Sequence, residues 1–282
     1  MERWTTLVDV TRLRDALARP DLVMLDARHL LKDPDHNARA FAAGHIPGAQ
    51  PAHVDRDLSA PPRPATGRHP LPDVDAFVAS CTRWGIDADA QVVIYDDFGG
   101  AWASRAWWLL RDYGHDAVAV LDGGWPAWLA AGAPIETAAR AISPKHFRGH
   151  PGHMPTISTW ELTTRAPRCL VDARAAPRYS GAEEPVDPVG GHIPHAINLP
   201  TTGNLDERGH FLPAAALRAR YETALAGLAP KDAAFYCGSG VTATHDILSM
   251  HIAGLPGSAL YPGSWSEWIR NPLRPVATGS AP

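Results

Sequence analysis

AAFYCGSGVTATHDILSMHIAG, residues 233–254, is the stretch on which the fold turns. Four apolar residues read as a buried strand, and Cys237-Gly238-Ser239-Gly240-Val241-Thr242 follow as a loop of small residues. A helix pattern then runs to Gly254, a plausible stop. Strand, tight loop and helix in direct succession are the repeating unit of a helix-covered parallel sheet. The same order occurs upstream, where QVVIYDD (91–97) leads into the helix pattern ASRAWWLLRDYG (103–114), with Gly114 as its stop.

This correspondence extends over both halves of the chain. LDAR at 25–28 recurs as VDAR at 171–174, and GHIPGA at 44–49 as GHIPHA at 191–196. VVIYD at 92–96 matches AAFYC at 233–237, and GGWPAW at 123–128 matches GSWSEW at 263–268. The order is kept and the offset stays between 140 and 147 residues. Two copies of one α/β fold are therefore expected, each a mostly parallel sheet with helices on both faces. The strands LVMLDAR, CLVDAR, AVAVLDGG and SALYPGS complete the pattern. Residues 1–138 form the first copy, the Pro-, Gly- and basic-rich 139–153 a linker, and 154–282 the second copy.

Composition narrows the function classes. Of 282 residues, 45% are hydrophobic and 20% charged, enough for packed cores. A net charge of −4 supplies no basic field, which speaks against nucleic acid and acidic membranes as partners. No apolar run approaches the roughly 18 residues of a spanning helix. The start, MERWTTLVDVTRLRDAL, lacks a signal-peptide core, so a cytoplasmic location is expected. Cys81, Cys169 and Cys237 are an odd set without CxxC spacing, and the 14 histidines show no HExxH pattern. Neither a disulfide framework, a metal nor a cofactor is expected.

The chemistry concentrates at Cys237. A free cysteine is by itself often a small hydrophobe. Glycines on both sides of Ser239 change that reading, because they let the chain curl with its N–H groups turned inward, beside the positive end of the following helix. Such a bowl, lined by Gly238, Gly240, Val241 and Thr242, favours a thiolate and can hold the outer sulfur of a persulfide. The first copy has Asp96 and Asp97 at this place, so one copy carries a nucleophile and the other does not. Cys81 and Cys169 lie outside any glycine loop.

CGSGVTA, with GSWSEW downstream and VDAR and GHIP upstream, resembles the tandem rhodanese family, and within it the 3-mercaptopyruvate sulfurtransferases. The resemblance spans nearly the whole chain, including LDAR, GHIPGA and DGGW of the first half. It implies two rhodanese-like domains and transfer of sulfur from 3-mercaptopyruvate to a thiol, a thioredoxin-like protein or cyanide, through a Cys237 persulfide. It also implies a proton relay in which Ser239 and His69 (in GRHPLPD) move the proton and Asp55 (in HVDRD) orients His69. Because His69 and Asp55 come from the first half, the site is expected between domains. His45 and His192 occur in both copies and are read as structural.

Relatives of this kind hold the donor carboxylate with two arginines. Arg178 matches the first by position. At the second stands Val186, after Glu184-Pro185, and no Arg or Lys lies between Arg178 and Arg208. That leaves the donor to be held by Arg178 alone or by a first-half group such as Arg105, or to be something other than mercaptopyruvate. Thiosulfate-type rhodaneses commonly carry basic residues where this chain has Gly238 and Ser239, and the neutral loop favours a carboxylate-bearing thiol. Thiosulfate is the alternative donor, and a non-catalytic sulfur or redox relay the alternative class. A cysteine phosphatase would need an arginine six residues after the nucleophile, where Ala243 stands.

Overall fold

The computed structural model describes residues 2–282, which divide into two compact units. The first consists of residues up to Ala60 together with Pro72–His153 and Glu207–Phe211. The second consists of Pro61–Leu71, Met154–Asp206 and Leu212–Pro282. The short segment 61–71 thus comes from the first half of the sequence but is built into the second unit. Residues 139–153 form neither helix nor strand.

In the first unit, β1 (Leu7–Val8), β2 (Leu22–Asp26), β3 (Gln50–Pro51), β4 (Gln91–Tyr95) and β5 (Val118–Leu121) form one parallel sheet in the order β1-β5-β4-β2-β3. Every residue of β4 is buried, as the unbroken apolar run requires of a strand covered on both faces. The helix after it, Ala103–Asp112, buries Trp107, Trp108, Leu109 and Leu110. It ends as expected at Gly114, whose φ of +81° suits glycine.

The second unit repeats the plan with β6 (Cys169–Asp172), β7 (Ala196–Asn198), β8 (Ala233–Tyr236) and β9 (Ala259–Leu260) in the parallel order β7-β6-β8-β9. The helix after β8, Ala243–Ile252, is buried from Ala243 through Met250. Among the described residues, no helix is long and apolar enough to cross a membrane.

The repeated motifs do the same work in each unit. Arg28 and Arg174 pair with the buried Asp26 and Asp172, and donate to the carbonyls of Gly44 and Gly191 at 2.7 and 2.6 Å. Each guanidinium also lies over a tryptophan, Trp125 at 4.6 Å and Trp265 at 4.7 Å. His45 and His192 stack on Phe41 and Tyr179 at 3.7 Å, and bond through Nδ1 to those residues' carbonyls. Both rings are buried and their Nδ1 contacts fix the backbone, in line with the structural role expected from the sequence.

Candidate active site

Cys237 is the first residue after β8 and is 2% exposed. Its carbonyl accepts from the Trp265 N–H at 3.0 Å, and the Gly238 carbonyl accepts from Ser266 at 2.9 Å. With these carbonyls turned to the Ser264–Trp268 helix, the loop can point N–H groups toward the thiol. The Gly240 N–H donates to Cys237 Sγ at 3.2 Å. Gly240 is required here, because its φ is +78° and a Cβ would lie 2.3 Å from the Pro262 carbonyl oxygen. Val241 is buried, and Thr242 starts the helix that closes the bowl.

The first unit shows the same loop with a different occupant. Asp96 follows β4 as Cys237 follows β8, and the Trp125 N–H donates to its carbonyl at 2.8 Å. Its wholly buried carboxylate accepts from the N–H groups of Phe98, Gly100, Trp102 and Ala103 at 2.7–2.9 Å. Burial pushes this carboxyl above its ordinary value, and the four N–H groups act against that shift. The cradle that faces a sulfur in one unit therefore holds a carboxylate of the chain itself in the other.

Segment 61–71 brings Arg68 and His69 to the Cys237 loop. His69 Nδ1 lies 2.7 Å from Ser239 Oγ, and both residues are buried. The Arg68 N–H donates to Ser266 Oγ at 3.0 Å, and Ser266 in turn donates to Gly238. A Cβ on Gly67 would lie 2.5 Å from the Gly263 carbonyl oxygen, so the segment can approach this closely only with glycine there. The expected pairing of His69 with Ser239 is thus present, formed inside the second compact unit. Asp55 belongs to the first unit, where its N–H donates to His53 Nδ1 at 3.1 Å.

Arg178 lies on the short helix Ala176–Ser180 and is engaged by two acids. Its Nε donates to Glu184 at 3.1 and 3.0 Å, and Nη2 donates to Asp187 at 3.0 Å. Glu184 Oε1 also accepts the N–H groups of Val186 and Asp187, each at 3.0 Å. Burial alone would raise the Glu184 carboxyl, but Arg178 and these N–H groups bring it below its ordinary value. Arg105 is fully buried in the first unit and donates to the Leu58 carbonyl. Arg68, absent from the residues expected at the site, pairs with Asp187. Nothing in its local sequence sets it apart from a solvated loop arginine.

Behind the loop, Asp246 is buried in the first turn of the Ala243–Ile252 helix. Asn204 donates to its Oδ1 at 2.6 Å and the Tyr221 hydroxyl at 3.0 Å, whereas Oδ2 has no partner among the described residues. Burial pushes this carboxyl up to about 7. A carboxyl whose value is raised on folding contributes its full stability below the unfolded value of 3.8, and loses it as pH rises through about 7. The parent Tm should therefore fall between about pH 4 and pH 7 and level off above, and Asp246→Asn should flatten that slope. A thermal-melt series across this range tests it; an unchanged slope in the variant would refute it.

Comparison with known proteins agrees with this architecture. The model of the rhodanese-like domain matches residues 9–131 and again 159–271. The "Probable 3-mercaptopyruvate sulfurtransferase" of Pseudomonas aeruginosa is 46% identical, over 97% of this chain and 98% of its own length. The "Putative thiosulfate sulfurtransferase SseB" of Mycobacterium tuberculosis is 38% identical over 99% of each chain. The solved 3-mercaptopyruvate sulfurtransferase from Leishmania major superposes with a TM-score of 0.85 at 32% identity, over 94% of this chain and 74% of that one. With one family model matched twice in succession over most of its length, the chain belongs to the rhodanese family as a tandem-domain member.

Proposed function

We propose that this protein is a sulfurtransferase that moves sulfur from 3-mercaptopyruvate to a thiol or cyanide through a persulfide on Cys237. One observation carries the reading: His69 meets Ser239 at 2.7 Å, two residues beyond a thiol that accepts a loop N–H. Relatives named for this activity support the donor. In the first half-reaction the Cys237 thiolate bonds to the donor sulfur and the C–S bond breaks. Its electron pair passes to the methylene carbon, and the proton of the donor thiol ends on that carbon, giving pyruvate. Ser239 and His69 carry this proton. Asp55 enters on its motif match as the carboxylate of the relay. In the second half-reaction a thiolate or cyanide attacks the outer sulfur, the S–S bond breaks, and the Cys237 thiolate returns. A small thiol or a thioredoxin-like protein fits the acceptor role.

Incubation with 3-mercaptopyruvate should add the mass of one sulfur and release pyruvate, and kcat/KM should exceed that for thiosulfate. Ser239→Ala and His69→Ala should lower mercaptopyruvate turnover by about 10²- to 10⁴-fold, the usual worth of a positioned acid–base group. Thiosulfate turnover should fall less, because that donor brings no thiol proton. A preference for thiosulfate, or equal losses with both donors, would overturn the donor and the relay respectively.

A further inference from the structure

Val186 leaves the donor site one arginine short of what the resemblance implies, and the structure offers a guanidinium from another segment. We infer that Arg68 is the second arginine of the donor site, gripping the substrate carboxylate together with Arg178 over Gly238. This rests on the reading of the site as one for a carboxylate-bearing donor.

Three observations carry it. First, a Cβ on Gly238 would lie 2.9 Å from Arg68 Nη2, and 3.5 and 3.6 Å from Arg178 Nη2 and Nη1. Both guanidinium groups therefore overlie the residue next to the nucleophile, and glycine there leaves their approach open. Second, Asp187 accepts from both, from Arg68 Nη1 through Oδ1 and from Arg178 Nη2 through Oδ2. One carboxylate, with its side chain only 3% exposed, thus sets the two cations side by side. Third, Arg68 Nε is buried and has no hydrogen-bond partner among the described residues. Nε and Nη2 share one edge of the planar guanidinium, the edge that can hold a carboxylate with two parallel hydrogen bonds.

The local charges sharpen the point. Glu184 and Asp187 balance Arg68 and Arg178, so these four groups carry no net positive charge to attract an anion. What selects the carboxylate is then directional N–H donors left unspent, and Arg68 Nε is one. The Arg68 backbone is fixed by Ser266, whose own N–H is bonded to Gly238, so the guanidinium is tied to the loop it serves.

The test is Arg68→Gln in the full chain, beside Arg68→Lys. Loss of a charged bidentate contact should raise KM for 3-mercaptopyruvate about ten- to hundredfold and change kcat by less than about threefold. Lysine, a point charge that can still pair with Asp187, should recover part of the loss. Inorganic polysulfide, which has no carboxylate, should load Cys237 equally in wild type and Arg68→Gln by intact mass. A KM within twofold of wild type overturns the assignment, as does a parallel loss of polysulfide loading, which would mark a collapsed loop. Failure of the underlying function looks different, because the wild type would then form no persulfide with mercaptopyruvate. Calorimetric binding of pyruvate still decides the role of Arg68 in that case: about tenfold weaker binding in Arg68→Gln supports it, and equal binding or none overturns it.

Discussion

Cys237→Ser is expected to abolish persulfide formation and to lower turnover on the order of 10³-fold or more, as removal of a covalent nucleophile does. A serine hydroxyl fits the space but cannot carry sulfur between the half-reactions. Cys81→Ser and Cys169→Ser should retain activity. Both are buried, Cys81 within the Val74–Arg83 helix and Cys169 at the start of β6, and burial pushes both thiols up, away from the reactive thiolate. Intact-mass analysis after exposure to 3-mercaptopyruvate separates the three variants in one experiment. An added sulfur on Cys237→Ser would remove the mechanism at its root.

The second large effect concerns stability. Asp96→Ala withdraws the acceptor of four N–H groups at once, two of them buried and two part-buried. Breaking a buried charged network typically costs roughly 3–5 kcal/mol, because the orphaned partners lose both the protein and the solvent. Asp96→Asn keeps one acceptor oxygen and should cost clearly less. Denaturant unfolding checks both variants: Asp96→Ala should lower the midpoint of the first unit's transition, and an unchanged midpoint would show that water replaces the carboxylate without loss. Such a result would also weaken the parallel drawn between this cradle and the one around Cys237.

Much of this was legible from local pattern. The all-apolar runs before Asp96 and Cys237 could only be strands buried on both faces, and both form with the expected helices behind them. Glycine loops and glycine stops carry their information in φ, a property of single residues. The segment 61–71 was not legible in this way. It is rich in proline, has no periodicity, and gains its place from contacts such as that between Arg68 and Ser266, 198 residues apart. His69 could be picked out by its motif. Arg68 could not, since nothing local distinguishes a loop arginine facing solvent from one held over a nucleophile. Its pairing with Asp187 exists only once the chain has folded.

The placement of residues 61–71 has a bearing on how such a chain can be recombined. The obvious seam for exchanging halves between related proteins is residues 139–153, where helix and strand are absent. A crossover there would inherit the Cys237 loop from one parent, and from the other the glycine, arginine and histidine that must fit against it. Gly67 has no room for a side chain, and Arg68 and His69 each bond to a residue of the later half. The two halves are repeats in fold, yet in heredity they form a single matched set, and a chimaera is sound only if this short stretch travels with the loop it meets.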